Sequence, residues 1–71
     1  MSSTGRIKAL RGTYGFITAE DGRDLFFHGS DLLDGDVELG EGDLVSFDEV
    51  LPTPERGARA SHIVFLKPKE S

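Results

Sequence analysis

The sequence predicts an all-β fold, a five-stranded antiparallel barrel. Apolar and polar residues alternate over five short segments of the 71-residue chain, and no segment shows the period of an amphipathic helix of useful length. Glycines and prolines separate the segments, as is typical of turns. A small sheet leaves two edge strands unpaired unless it closes, so we expect a closed barrel.

The first strand is predicted over residues 5–10, after a frayed start at residues 1–4. Successive side chains of a strand point to opposite faces. We therefore expect Ile7 and Ala9 to face inward. The outward residues of this strand are then Arg6, Lys8 and Leu10.

A hairpin over residues 11–30 is the segment around which the rest of the chain is organised. Residues 20–23 contain Asp-Gly, the strongest short signal of a hairpin turn, because glycine tolerates the positive φ of such turns. Alternation along the two strands places Ile17, Leu25 and Phe27 on an inner face. Four flat rings share the outer face, namely Tyr14, Phe16, Phe26 and His28.

The second half of the chain predicts one helical turn and two further strands. Ser30 is the expected N-cap of the turn, and an acid- and glycine-rich loop follows it. Strands are expected over residues 43–50 and 58–66, separated by a loop at residues 51–57 because its prolines cannot donate to a ladder. The expected inward residues of these strands are Val45, Phe47, Ile63 and Phe65.

The composition predicts a single domain over residues 1–71, with an ordered core over about residues 5–67. The chain has no cysteine, which excludes a disulfide framework and a thiolate metal site. It has no signal-peptide pattern and no apolar run near the roughly 18 residues of a membrane span. We expect a cytoplasmic monomer with no membrane partner and no cofactor.

The charges are distributed unevenly along the chain. The net charge is −5, which by itself argues against nucleic-acid binding. Eleven acids and a single base, Arg23, lie between Glu20 and Glu49, and the other bases lie towards the two ends. If both ends lie beside the aromatic hairpin, its surroundings are basic on an acidic molecule.

The four outer rings point to a binding surface, since an exposed aromatic patch usually marks one. Bases of a single-stranded nucleic acid stack on such rings. The alternatives are that the rings pack under a loop or against another protein. Lys8, Arg11 and Arg56 are candidates for phosphate contact, and Arg59 either joins them or only solvates the surface.

The residue inventory predicts low sequence specificity. The chain contains no asparagine and no glutamine, the side chains that usually read adenine through two hydrogen bonds. Discrimination between bases is then left to backbone groups and to Ser, Thr, Tyr, Asp, Glu or Arg side chains.

Nothing in the sequence supports catalysis or a metal site. It lacks a phosphate-cradling glycine loop, a histidine pair at metal-binding spacing and a nucleophile beside a base. Asp34, Asp36 and Glu38 alternate like calcium ligands, but Leu39 and Val45 replace the glycine and glutamate that a calcium loop requires. We expect no enzyme activity, no catalytic residue and no small-molecule substrate.

The chain resembles a bacterial cold-shock domain over nearly its whole length. Residues 12–17, GTYGFI, and residues 25–29, LFFHG, are similar to the two ribonucleoprotein-type motifs of that family. The family's opening strand, fourth strand and last turn are matched at residues 5–8, 45–47 and 56–57. The resemblance implies an OB-type barrel that binds single-stranded RNA and DNA by base stacking, with little sequence preference.

The resemblance also implies which residues bind. The family's binding positions carry over to Lys8, Arg11, Tyr14, Phe16, Asp24, Phe26, His28 and Arg56. Two departures stand out, because the family's Trp-Phe pair is Ala9-Leu10 here and the phenylalanine ending its second motif is Gly29. Each base–aromatic stack contributes roughly 1–3 kcal/mol, so losing two or three of them weakens binding about a hundredfold or more.

The expected function is therefore non-covalent binding of single-stranded RNA or DNA, in the manner of an RNA chaperone and more weakly than typical family members. A competing hypothesis is a protein-interaction module on the same barrel, in which the depleted ring surface contacts a protein. A third is a domain that acts only when oligomerised or attached to other chains.

Overall fold

The computed structural model describes residues 2–33 and 39–69. Its elements are β1 (Ser2–Arg11), β2 (Tyr14–Ala19), β3 (Asp24–His28), the 3₁₀ turn η1 (Gly29–Asp31), β4 (Leu44–Val50) and β5 (Arg59–Lys67). The strands close into a barrel in the order β1-β2-β3-β5-β4, and β1 pairs with β4. This confirms the predicted fold class. The calcium-like acids of residues 34–38 lie outside the described residues.

One seam of the barrel differs from the predicted antiparallel pairing. β3 and β5 are parallel, and their register pairs Phe26 with Arg59. An isolated parallel bridge between Leu32 and Ile63 continues the same contact beyond the end of β3. The four other strand pairs are antiparallel.

The core lies inside the barrel and is contributed by all five strands. The buried apolar side chains are Ile7, Ile17, Ala19, Leu25, Phe27, Val45, Phe47, Ala60 and Ile63. The inward prediction is confirmed for all but two of the residues that alternation placed inside. Phe65 is only half-buried, and Ala9 lies on the other face.

A β-bulge in β1 explains the position of Ala9. Ile7 pairs with Ile17 but Ala9 pairs with Phe16, so Lys8 is an extra residue without a partner on β2. One extra residue in a strand exchanges the faces of everything after it. Ala9 therefore shares the outer face with Phe16, and Leu10, predicted outside, packs against the core.

β1 also begins earlier than predicted. Ser2 pairs with Asp48 and Ser3 with Phe47, so the segment expected to be a frayed start is the part of β1 that joins β4. The described residues contain no helix with the length and apolar character of a membrane span.

The turns between the first three strands are close to the prediction. Gly22 has φ +91°, and the amide of Ala19 donates to the carbonyl of Arg23 across the turn at 2.8 Å. The cap of η1 was predicted wrongly, because His28 and not Ser30 is the N-cap. The His28 Nδ1 accepts from the Ser30 amide at 3.1 Å, while Asp31 Oδ2 accepts from the His28 amide at 2.9 Å.

Candidate nucleic-acid interface

The outer faces of β2 and β3 carry the four predicted rings side by side, and we call these four residues the ring patch. Tyr14 is directly opposite His28, and Phe16 is opposite Phe26. Direct cross-strand neighbours have Cβ atoms about 4.5–5.5 Å apart, which is close enough for rings to touch. The hairpin register therefore brings the predicted rings together on one surface.

Three of these rings form a contiguous cluster. The Tyr14 and Phe26 centroids are 5.6 Å apart with an interplanar angle of 31°, so the two rings are tilted towards one another. Phe16 lies edge-on to both, 6.0 Å from Tyr14 and 6.1 Å from Phe26. Tyr14 is 39% exposed and Phe26 36%, whereas Phe16 is half-buried between its neighbours. Tyr14 and Phe26 therefore offer the more accessible faces.

The ring of His28 is exposed and also accepts the hydrogen bond that caps η1. Its Nδ1 accepts a hydrogen bond from the Ser30 amide, which leaves Nε2 as the protonated nitrogen of the neutral imidazole. The Ser30 hydroxyl lies 2.9 Å from the same Nδ1. The cap therefore fixes the ring beside Tyr14.

A hollow of about 440 Å³ lies on one side of Phe26, and we call it the Ala9 hollow. Its lining residues are Lys8, Ala9, Arg11, Phe16, Asp24, Phe26 and Ala58. Five of the eight predicted binding residues thus meet in one place. Ala9 reaches it only because of the bulge at Lys8, and Ala58 comes from the segment that leads into β5.

A second hollow of about 390 Å³ is also lined by Phe26, and we call it the Arg56 hollow. Its lining residues are Phe26, Arg56, Gly57, Ala58 and Arg59. The loop that carries Arg56 is closed on itself, since the Thr53 amide donates to the Arg56 carbonyl at 2.7 Å and the Arg56 amide donates back to Thr53 at 3.2 Å. Phe26 thus lines both hollows, and each hollow is also lined by two basic side chains.

Lys8 and Asp24 form an ion pair at the edge of the Ala9 hollow, with Lys8 Nζ 2.5 Å from Asp24 Oδ2. The Thr18 hydroxyl donates to the other carboxylate oxygen at 3.0 Å. The hydrogen bond from Lys8, and then that from Thr18, hold the pKa of Asp24 below its ordinary value. Asp24 is therefore a carboxylate at neutral pH, despite its place among binding residues.

The basic side chains divide between the ring patch and other sites. Among the salt bridges of the described residues, none involves Arg11, Arg56 or Arg59. Arg23, by contrast, is paired with both Asp21 and Glu49, and these partners raise its pKa. The surroundings of the rings are therefore basic, as expected from the charge distribution.

The chain termini contribute less to this basic surface than predicted. Arg6 donates to the Gly42 carbonyl at 3.1 Å, and the Lys69 amide donates to Asp43 at 2.9 Å, away from the rings. Lys67 pairs with Leu44 at the far end of β5. The cations near the rings come from the bulge of β1, its last residue, the loop before β5 and the first residue of β5.

Comparison with known proteins identifies the family. The family model described as "'Cold-shock' DNA-binding domain" matches residues 3–66. The chain belongs to this family. Cold-shock domains bind single-stranded nucleic acids, and the closed five-stranded barrel is consistent with such a domain.

Individual relatives agree with the family assignment. This cold-shock domain is 48% identical over 52 residues to cold shock protein 1 of Lactiplantibacillus plantarum, covering 72% of this chain and 76% of the relative. It is 43% identical over 51 residues to cold shock protein 2 of the same organism, covering 70% and 74%.

A solved structure named drosophila Unr CSD456 is similar over 100% of this chain, with a TM-score of 0.81 and 29% identity. The cold-shock domain spans only 29% of the length of that chain.

Sequence reasoning missed two residues of the interface, Ala9 and Ala58. Both line the Ala9 hollow, and Ala58 also lines the Arg56 hollow. No feature of a lone alanine signals such a position. Ala9 was predicted to be inside because alternation alone does not reveal a bulge.

Proposed function

We propose that this cold-shock domain binds single-stranded RNA or DNA by stacking bases on the ring patch, with low sequence specificity. The proposed binding residues are Lys8, Arg11, Tyr14, Phe16, Asp24, Phe26, His28 and Arg56. Arg59 joins them, because it lines the Arg56 hollow beside Phe26. The domain acts by binding alone, without catalysis.

One observation carries this proposal: Phe26 is an exposed ring of the ring patch, and both of the hollows that it lines are also lined by cations. A base stacked on Phe26 has cations of both hollows within reach of its neighbouring phosphates, namely Lys8, Arg11, Arg56 and Arg59. Stacking platforms beside a positive groove are the usual means of binding single strands without reading their sequence.

The proposed mechanism is competition for the bases. A base that lies on Tyr14 or Phe26 cannot pair with another nucleotide, so binding favours the unpaired form of the strand by mass action. Weak secondary structure in RNA is then opposed or melted. This is the sense in which the domain acts as an RNA chaperone.

Binding weaker than that of typical family members follows from two positions. Ala9 offers a methyl group beside Phe16 where the family has a ring, and Gly29 offers no side chain beyond His28. Each missing stack removes roughly 1–3 kcal/mol of binding free energy. The remaining platforms, centred on Tyr14 and Phe26, bind a shorter stretch of nucleotides.

The test compares Phe26→Ala with Val64→Ala. Both side chains project outward from strands and are almost equally exposed, at 36% and 38%, but Val64 lines neither hollow. We expect Phe26→Ala to weaken binding of a fluorescent pyrimidine-rich single strand by about fivefold or more, and Val64→Ala to leave it unchanged. Thermal unfolding measures how each substitution affects stability.

The outcomes separate the competing functions. Equal weakening by both substitutions contradicts stacking on Phe26. A wild-type protein that binds no single strand contradicts the proposed function and favours the protein-interaction module. The titration can also be followed without a label through Tyr14, which is the single tyrosine of a chain without tryptophan.

A further inference from the structure

The outward side chains of β2, β3 and β5 form a row whose chemistry changes at β5. Phe16 pairs with Phe26 across the hairpin, and Phe26 pairs with Arg59 across the parallel seam. Paired residues of neighbouring strands lie side by side on one face of a sheet. The row therefore runs across two rings and continues with a guanidinium group. A strand whose bases follow the rings onto β5 meets a cation there instead of a further ring.

The Arg56 hollow lies at this change, and it brings a second cation next to Arg59. Its volume of about 390 Å³ is within the range of about 300–1,000 Å³ found for small-ligand sites. Gly57 keeps part of the lining open, since a Cβ atom added there would meet nothing within 4 Å. The hydrogen bonds between Thr53 and Arg56 fix the backbone from which the Arg56 side chain extends.

Both guanidinium groups of this hollow are available to a ligand. In the part of the chain that the structure describes, the arginine side chains engaged in hydrogen bonds are Arg6 and Arg23. The salt bridges of the same residues likewise leave out Arg56 and Arg59. A guanidinium group presents a planar fork of donors that matches phosphate oxygens in pairs. The hollow thus offers two such forks beside one ring.

We propose that the Arg56 hollow binds the terminal phosphate of a nucleotide whose base stacks on Phe26, an inference that rests on the proposed stacking. A phosphate monoester has three strong acceptor oxygens and a charge of about −1.5 to −2 at neutral pH. A phosphodiester inside a strand has fewer free oxygens and a single negative charge. Two guanidinium forks around one phosphate therefore favour the terminal group over the internal one.

This site makes Arg56 and Arg59 specificity-determining residues for the end of the ligand. Cleavage of a nucleic acid leaves a phosphate on one side of the cut, so the domain distinguishes a phosphorylated end from a hydroxyl end. The same group also occurs on free nucleotides. The preference is independent of base identity, because stacking on Phe26 accepts any base.

The experiment measures competition against the fluorescent pyrimidine-rich strand. The competitors are three oligothymidines of about four nucleotides, the short end of the roughly 4–16 nucleotides bound per OB fold. One has two hydroxyl ends, one has a 5′-phosphate and one has a 3′-phosphate. We expect one phosphorylated strand to bind at least about fivefold more tightly than the hydroxyl strand, and the other to remain within about twofold. The second phosphorylated strand is the matched control for added charge.

Three variants locate the preference. Arg56→Gln and Arg59→Gln each remove one fork, and we expect each to bring the preferred strand to within about twofold of the hydroxyl strand. Arg11→Gln is the matched control, since Arg11 is a cation that lines the Ala9 hollow and not the Arg56 hollow. It should weaken all three strands alike and keep their ratio.

Free nucleotides distinguish the two sources of a terminal phosphate. Thymidine triphosphate, thymidine and inorganic triphosphate are added to the same labelled complex. Displacement by thymidine triphosphate alone assigns the site to free nucleotides as well as to strand ends. Displacement by none of the three, together with an end preference, assigns the site to strand ends. Displacement by inorganic triphosphate as effective as that by the nucleotide overturns the link to the ring.

The possible failures are distinct. Equal affinity for all three oligothymidines, or equal gains from a phosphate at either end, overturns the terminal site and leaves the proposed function standing. An end preference that persists in both Arg56→Gln and Arg59→Gln overturns its assignment to this hollow. Failure of the folded wild-type protein to bind any strand overturns both proposals. Circular dichroism establishes that each variant is folded before its affinities are compared.

Discussion

His28 both caps a turn and belongs to the ring patch. Nδ1 accepts the amide proton of Ser30 and so caps the short turn η1, while the exposed ring stands opposite Tyr14. A histidine next to a glycine and a serine gives little sign of such a cap in sequence, where Ser30 was the better candidate. Its place on the ring face, in contrast, followed from alternation alone.

The pH dependence of stability tests whether the ion pair between Asp24 and Lys8 stabilises the fold. The Lys8 hydrogen bond lowers the pKa of Asp24 from its ordinary value of 3.8. The folded state then binds fewer protons than the unfolded state near that pH, so the pair stabilises the fold above pH 3.8 and ceases to do so as pH falls through the lower folded pKa. The effect is small because both partners of the ion pair are exposed to solvent.

We therefore expect the melting temperature of the wild type to fall more steeply than that of Asp24→Asn as the pH is lowered below about 4. Above about pH 5 the two profiles should run in parallel, since Asp24 is ionised in both folded and unfolded chains there. Thermal unfolding followed by circular dichroism measures both profiles. Parallel profiles over the whole range would show that the pair contributes nothing to the fold.

The strands differ in how far their sequences determine them. β2 and β3 were predictable in position and face, because the Asp-Gly turn marks where the hairpin reverses and strict alternation fixes the faces. Their register was not, since the turn spans residues 19–23 and is longer than a two-residue Asp-Gly loop. β1 was not, since its pairing with β2 contains a bulge at Lys8 while its first half pairs with β4 without interruption. A bulge of this kind depends on tertiary contacts that local alternation does not contain.

Gly15 of β2 provides a test of this packing. A Cβ atom at Gly15 would lie 2.6 Å from the Ala9 carbonyl oxygen and 2.8 Å from Cζ of Phe27, so the strand and the core ring approach too closely for any side chain. We expect Gly15→Ala to destabilise the protein by about 1–3 kcal/mol or more. Denaturant unfolding measures the free energy.

The matched control is Gly57→Ala. An added Cβ at Gly57 meets no atom within 4 Å, and its φ is not positive. The expected change in the free energy of unfolding is within about 0.5 kcal/mol. If both substitutions lower the free energy of unfolding by a similar amount, the close approach of Gly15 to Ala9 and Phe27 does not explain the loss.

At the scale of the molecule, charge is separated in space as well as along the chain. Lys8, Arg11, Arg56 and Arg59 line the hollows at the rings. A cleft where β1, β4 and the β2–β3 turn meet is lined by three acids and one base, namely Glu20, Asp21, Glu49 and Arg23. A net charge of −5 is therefore a poor guide to what the ring surface attracts. The sequence showed the uneven distribution, but the folded chain was needed to show which cations reach the rings.

This separation predicts a salt dependence for single-strand binding. The logarithm of the binding constant should fall with the logarithm of salt concentration, by about 0.7 for each phosphate neutralised. Arg56→Ala should reduce this slope by about 0.7, whereas Lys67→Ala, at the far end of β5, should leave it unchanged. Titrations at several salt concentrations measure the slopes.

Competition with duplex DNA tests how much base stacking contributes to the affinity for single strands. Its bases are already stacked on one another, so it should displace a single strand poorly at every salt concentration. Efficient displacement by duplex would indicate that phosphate contacts alone account for binding. An unchanged slope in Arg56→Ala would remove that arginine from the interface.

The parallel seam between β3 and β5 has a consequence for the whole barrel. At this seam the backbone of the described residues pairs only at Phe26 with Arg59 and at the bridge from Leu32 to Ile63. The other strand pairs have longer ladders. The same Phe26 and Arg59 present their side chains to the proposed ligand. A nucleic acid that contacts both residues would link β3 to β5. Its binding would therefore stabilise the closed barrel, and a closed barrel would bind it more tightly.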